Sequence, residues 1–314
     1  MDESVGVMRF KPAPDFERLR AVMDEDPREV IPQARHFLAH ARPDAATQAR
    51  TYNLMCYTSA CVLKQSSMDA VFHGHEAVRL ARMLPGPAGQ AILFDSLINL
   101  GTAAERIGEY DRAIEAYQEG LHMPLDWIGR SNHEEAVLTY LGRTLYHRGC
   151  YREALAVIEQ AGARAAERQD PYADETLHSL RGRCYLKIED LARAEHFLTQ
   201  AAVITNNETR YELRPKGRIL AGMAIVKARQ GAHAEVERYA AAALEMADEI
   251  DDPHGRVEAR MALAISAREQ KRVRQALELA GEAGRIAFQY GYLPLIQEMT
   301  WLMGLLFPQQ EFDA

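Results

Sequence analysis

Four features of this 314-residue chain have residue types and spacings that could do chemistry. His36 and His40 stand four apart, so a helix would put both imidazoles on one face, as a metal pair requires. No third ligand follows at a recognisable spacing, and the pair is read as surface histidines. The run "HGHEA" at 73–77 invites the same metal reading. Gly74 is more simply a small packing position on a helix. The four cysteines, Cys56, Cys61, Cys150 and Cys184, form no C-x-x-C pair. Cys56 and Cys61 fall in an apolar helical pattern, which suits buried free thiols. No phosphate-binding G-x-x-x-x-G-K-[ST], no H-E-x-x-H and no G-x-S-x-G occurs. The expectation is a non-enzyme without metal or cofactor.

Charge and targeting narrow the partners. Lys and Arg number 37 and Asp and Glu 45, a net charge of −8. That balance argues against direct nucleic-acid binding, which needs a basic footprint. "MDESVGVMRF" is acidic where a secretion signal would be basic, and no apolar core follows it. The most apolar stretch, "LPLIQEMTWLMGLLFP", is broken by Gln297 and Glu298 and is too short to span a bilayer. A cytoplasmic protein with no membrane contact is expected.

What remains is a question of surface, and the elements decide which residues reach it. Apolar residues recur three and four apart almost throughout, and no segment alternates as a strand would. Pro and Gly gather between the periodic segments, as in "LPGPAGQ" (84–90), "DWIGRSN" (126–132) and "EIDDPHG" (249–255). The segment "LGTAAERIGEYDRAIEAYQEGL" (100–121) aligns with "LGRTLYHRGCYREALAVIEQAG" (141–162) and "RGRCYLKIEDLARAEHFLTQAA" (181–202). Small positions repeat at Gly101, Gly142, Gly182, Ala224 and Ala264, at spacings of 41, 40, 42 and 40. Their partners are Ala113, Ala154, Ala194, Val236 and Ala276. Thr58 with Ala70, and faintly Arg18 with Val30, extend the register upstream.

Each unit is predicted to be two antiparallel helices, A and B. Their small residues mark close approach, and the apolar face left over is buried by stacking on the next unit. Gly108, in the turn "IGEYD", is placed to take a left-handed cap. The pattern resembles the tetratricopeptide repeat (TPR): Leu100-Gly101, Gly108-Glu109-Tyr110, Ala113 and Tyr117, then Leu141-Gly142, Gly149-Cys150-Tyr151 and Ala154. TPR units are commonly 34 residues. The longer repeat here is similar to that of bacterial peptide-pheromone receptors of the Rap and PlcR type, and to kinesin light chains. Those receptors usually carry an N-terminal effector domain, for which this chain has no room.

The predicted fold is an all-α, right-handed TPR-like solenoid of about seven hairpins plus a C-terminal capping helix, forming one domain over 1–314. The hairpins fall at roughly 15–42, 46–84, 90–123, 131–168, 172–205, 210–249 and 254–290, with the cap at 293–307. The cap is apolar enough to close the last hairpin or to make a homodimer interface. "MPLDWIGRSNHEE" (123–135), with Trp127, and "TNNETRYELRPKG" (205–217) are expected to be loops, as linkers or lids.

The resemblance implies that helix A lines a concave groove. Counting outward from the small positions, the groove candidates are Asp95, Asn99, Thr102 and Arg106; Thr139, Tyr140, Arg143, Tyr146 and His147; Ser179, Arg183 and Lys187; and Arg218 and Arg229. In the four units from Gly101 to Ala224 these faces hold six Lys or Arg and two acids, Asp95 and Glu105. Such a cluster suits an anionic occupant, and Arg suits bidentate recognition of carboxylate or phosphate. Helix-A asparagines hold the peptide backbone in the receptor family, and Asn99 best matches that role. The expected function is recognition of an anionic peptide or partner protein by a cytoplasmic sensor or adaptor. The alternatives are a constitutive scaffold, or a regulator of a signalling enzyme or transcription factor.

Overall fold

The computed structural model describes residues 16–63, 68–124, 133–167, 171–204, 210–291 and 293–307. Among the described residues there is no strand. The helices are α1 (Phe16–Glu25), α2 (Pro27–His40), α3 (Ala45–Tyr57), α4 (Met68–Ala81), α5 (Gly86–Arg106), α6 (Tyr110–His122), α7 (His133–Arg148) and α8 (Tyr151–Ala166). They continue with α9 (Pro171–Lys187), α10 (Leu191–Ile204), α11 (Arg210–Arg229), α12 (His233–Glu249), α13 (Pro253–Glu269), α14 (Val273–Tyr290) and α15 (Leu293–Leu306). Within the units, α1 packs on α2, α3 on α4, α7 on α8, α9 on α10, α11 on α12 and α13 on α14, and α15 follows α14. The fold is a TPR-like helical solenoid. No described helix is long and apolar enough to cross a membrane.

Two compact units divide the chain, Met1–Ala103 and Ala104–Ala314. In the first, Leu19, Val30, Ala34, Phe37, Leu54 and Met55 form a buried core from α1, α2 and α3. Ala49, Leu80, Ala81 and Ile92 form another from α3, α4 and α5. Gly74 lets α4 meet α5: a Cβ there would stand 3.1 Å from the Leu100 Cα. A π-helical turn, Thr58–Val62, ends α3.

The second unit shows why the small residues recur. A Cβ on Gly142 would lie 2.8 Å from Ile158 of α8, and one on Gly182 would lie 2.7 Å from Leu198 of α10. Helices A and B therefore approach too closely there for any side chain.

The turns repeat with equal regularity. At Gly108, Glu109 N–H donates to the Ala104 carbonyl at 2.9 Å and Gly108 N–H to that of Glu105 at 3.1 Å. These are the two bonds of a Schellman cap. Both bonds recur at Gly149, Glu189, Gly231 and Lys271. All five residues have positive φ, between 63° and 92°. Their spacing follows the 41, 40, 42, 40 of the small positions.

Two expected loops, 123–135 and 205–217, overlap the hairpins expected from about 131 and 210, and the helices take the overlap. The loop predicted through Gly217 is helical from Arg210 onward. The helix formers Glu212, Leu213 and Arg214 outweigh Pro215, which costs α11 an intrahelical bond. Helix α7 likewise starts at His133, and Trp127 lies outside the described residues.

Candidate functional site

In the second unit the helix-A side chains converge on one another rather than standing in separate rows. Arg143 (α7) donates to both carboxylate oxygens of Glu105, at 2.9 and 3.2 Å. The Thr144 hydroxyl donates to Glu105 as well, at 2.6 Å. Arg218 (α11) makes a bidentate pair with Asp252 at 2.9 Å on both arms. Asp252 is the N-cap of α13, where its carboxylate also accepts from the Gly255 N–H. Arg183 (α9) reaches past α11 to Glu258 of α13, at 2.6 Å on both arms, and bonds the Arg218 carbonyl at 3.4 Å on the way. A side chain of α9 can span two repeats only if the row of A helices curves tightly.

Helix α15 lies against the inside of that curve. Its apolar residues Leu295, Met299, Leu302 and Leu306 are buried, and it packs on α13 and α14. Its other edge crosses to the far side of the unit. Glu298 accepts from the Lys187 ammonium (α9) at 2.8 Å and from the Tyr146 hydroxyl (α7) at 3.1 Å. The Tyr110 hydroxyl donates to Gln297 at 2.5 Å. Lys187 Nζ also sits 3.3 Å from the centroid of the Trp301 ring, a cation–π contact. A Cβ on Gly108 would run into Leu293.

The remaining groove candidates are distributed as follows. Asn99 and Asp95 lie on α5 in the first unit, half-buried, and Asn99 donates to the Asn53 side chain at 2.9 Å. Thr102 and Thr139 bond carbonyls four residues back in their own helices, at 3.0 and 2.9 Å, which occupies their hydroxyl protons. Arg106 ends α5, half-buried. Tyr140 stacks on Tyr117, and Arg143 lies 5.1 Å over its ring. Ser179 is half-buried on α9. Arg229 meets Glu189 at 3.4 Å.

The structure therefore brings Arg143, Tyr146, His147, Arg183, Lys187 and Arg218 together in the second unit, and leaves Asp95, Asn99 and Thr102 in the first. It also corrects the tally of charge. Arg143, Arg183, Lys187, Arg218 and Arg229 each have a carboxylate within 3.4 Å. Four of these five acids lie outside the groove positions counted in the sequence: Glu258 and Asp252 on and before α13, Glu298 on α15, and Glu189 in a turn.

Local electrostatics follow from this crowding. Burial works to raise Glu105, but Arg143, His147 and Thr144 outweigh it and hold the carboxyl below its ordinary value. Burial is likewise outweighed at Glu298, chiefly by Lys187 and Arg183. Burial pulls His147 down to about 4, with Arg143 and Arg183 adding to the fall while Glu105 and Glu298 oppose it. His254 is pulled well below its ordinary value by burial and then by Arg218. Between the ordinary histidine value of 6.5 and about 4, the unfolded chain binds protons that folded His147 and His254 refuse. Stability should therefore fall as pH drops through that window. Below 4.5, stability from Glu105 and Glu298 is lost in turn as their pairs protonate. Urea titrations at pH 7 and pH 4.5 check this, and His147→Gln with His254→Gln should flatten most of the difference.

The other chemistry-bearing residues sit apart. His36 and His40 stack at 4.1 Å, and among the described residues no three His, Cys, Asp or Glu are grouped to hold a metal. His73 is buried beside Tyr52 and Phe72. Burial pushes Cys184 up to about 12 and Cys56 higher, so neither is a thiolate at neutral pH. The apolar face that suggested dimerisation through α15 is used inside the chain. Exposed apolar residues near it include Val273, Leu277 and Phe288 on α14 and Leu293 at the start of α15.

By fold the chain belongs with the helical-repeat proteins of tetratricopeptide type. No family model and no curated protein matches the sequence. Solved structures do match the fold. Apo RapI superposes with a TM-score of 0.66 at 12% identity, over 86% of this chain and 95% of its own. A Rap protein complexed with Competence and Sporulation Factor gives 0.62 at 11%, over 92% and 84%. The Rap conjugation gene regulator of plasmid pLS20, in complex with the Phr* peptide, gives 0.61 at 11%, over 94% and 97%.

Proposed function

We propose that this protein is a non-catalytic recognition module of a reducing cytoplasm that binds an anionic peptide or partner-protein segment on the A-helix face of its second unit. One observation carries the reading most of the way. That face already holds a helical segment, α15, through a carboxylate and an indole gripped by Lys187 and Tyr146, while Tyr110 of α6 holds an amide at its edge. A surface that presents buried cations beside aromatic rings is suited to acidic and aromatic side chains. The Rap structures bound to a peptide or to Competence and Sporulation Factor support the same reading by analogy of fold.

The test is a peptide-display selection on the whole chain, followed by titration of the selected peptides against Ser179→Trp and Arg229→Glu. Ser179→Trp adds bulk to the face, and Arg229→Glu reverses a charge whose pairing is loose. Each should weaken binding by about ten-fold or more, the effect of a lost central contact, with melting temperatures close to wild type. Unchanged affinity in both variants would place recognition elsewhere on the molecule. Co-purification of a protein with no peptide selected would favour the scaffold alternative.

A further inference from the structure

Lys187 is the most deeply placed cation of the A-helix face. Its side chain is 3% exposed, yet among the described residues a single carboxylate grips it, Glu298, whose own side chain is 12% exposed. Around that carboxylate stand the Lys187 ammonium at 2.8 Å, the Tyr146 hydroxyl at 3.1 Å and the Trp301 ring over the ammonium. An ammonium and a phenol converging on one oxygen, walled by an aromatic face, form a receptor for a carboxylate. Three of its parts come from different elements: α7, α9 and α15.

The resident carboxylate differs from the other acids of the unit in how it is held. Glu105 accepts from Arg143 on both oxygens and from Thr144, and Asp252 caps a helix while pairing with Arg218. Glu258 is clasped on both oxygens by Arg183. Glu298 alone among these four accepts from Lys187 and Tyr146 on a single oxygen, Oε2. It stands on a helix anchored by other residues: Leu295, Met299, Leu302 and Leu306 bury the neighbouring apolar stripe. None of these four anchors depends on the Glu298 carboxylate, so a change of its rotamer leaves the seat of α15 in place.

We propose that Lys187, Tyr146 and Trp301 form a carboxylate subsite of the binding face, and that Glu298 is its built-in competitor. A partner's acidic side chain or terminal carboxylate binds by displacing Glu298 from Lys187. The proposal rests on the reading of this face as the recognition surface, and it names what regulates it. Because Glu298 is tethered, its effective concentration at Lys187 is on the order of millimolar or higher. A lone carboxylate ion at low concentration loses that competition. A peptide with further contacts along α7, α9 and α11 wins it, so Glu298 sets a threshold that excludes small anions.

The subsite is tested with propionate, which supplies the carboxylate that Glu298→Ala removes. Glu298→Ala should lower the melting temperature by roughly 3–6 °C, because it leaves Lys187 buried without that carboxylate. Millimolar propionate should recover much of the loss in a saturable way, while propionamide should not. Wild type should not respond, and neither should the double variant Glu298→Ala with Lys187→Met. Glu298→Gln, which keeps the shape, provides the second arm. Peptides selected on wild type should bind Glu298→Gln about ten-fold tighter. No response of Glu298→Ala to propionate overturns the subsite. Equal peptide affinity in wild type and Glu298→Gln overturns the competition while leaving the recognition reading intact. Rescue by propionate with no peptide selected does the reverse: the subsite stands and the recognition reading falls.

Discussion

Glu258→Ala should destabilise the second unit by about 3–5 kcal/mol, the cost of stranding one member of a buried ion pair. Glu258 and Arg183 are 3% and 15% exposed and meet at 2.6 Å on both arms. Burial works against the Arg183 charge, and Glu258 more than restores it, so Arg183 holds its proton even more tightly than an ordinary arginine. Without Glu258 that charge cannot be shed by deprotonation, and the Arg218 carbonyl at 3.4 Å is a poor substitute. The double replacement Arg183→Met with Glu258→Met should recover most of the loss, since an apolar pair of similar volume removes the stranded charge. Urea unfolding, compared at constant m-value, reads both effects. A loss below about 1 kcal/mol for Glu258→Ala would mean that the pair behaves as a solvated surface bridge.

Gly182→Val should cost about 3 kcal/mol, at the upper end of the range for overpacking. A Cβ on Gly182 would meet Leu198 Cγ at 2.7 Å, Cδ2 at 3.0 Å and, decisively, the Leu198 backbone nitrogen at 3.1 Å. Leu198 is fully buried, so its side chain has nowhere to retreat and α9 must part from α10. The contrast lies within the same unit. Gly281 on α14 has only the Arg285 guanidinium within reach, at 3.8 Å. Gly281→Ala should therefore stabilise by about 0.5–1 kcal/mol through helix propensity alone. If Gly182→Val and Gly281→Ala moved the melting temperature in the same direction, close helix approach would not be what keeps Gly182 small.

The helical hairpins were legible because packing writes itself into residue size. Gly142 and Gly182 announce close approach, and Gly108, Gly149 and Gly231 announce left-handed turns at the same interval. Glu189 and Lys271 occupy two of those turns with ordinary side chains, so composition could not reveal them. The candidate site was legible only on its cationic side. Glu258 stands six residues before Ala264, as Arg218 does before Ala224, and carrying the same register one repeat further would have found it. Asp252 lies before its helix, and Glu298 lies on a helix that belongs to no repeat, so no register reaches either. That Arg183 skips a repeat to find Glu258 depends on the curvature of the A-helix row. A repeat length of about 40 residues leaves that curvature open. The start of α11 was legible as the hairpin beginning near 210, although its polar sequence and Pro215 also read as loop.

A stack of repeats in which each touches only its neighbours unfolds like a zipper, fraying from its ends. The second unit is wired otherwise. Arg183 ties α9 to α13 over α11, and Tyr110, Tyr146 and Lys187 tie α6, α7 and α9 to the final helix. The last helix cannot peel off without releasing contacts at the first hairpin turn of the same unit. Long-range bonds of this kind turn a zipper into a clasp: the ends stabilise each other, and α6 to α15 open together or not at all. Cooperativity here is a property of a few side chains rather than of the repeat itself.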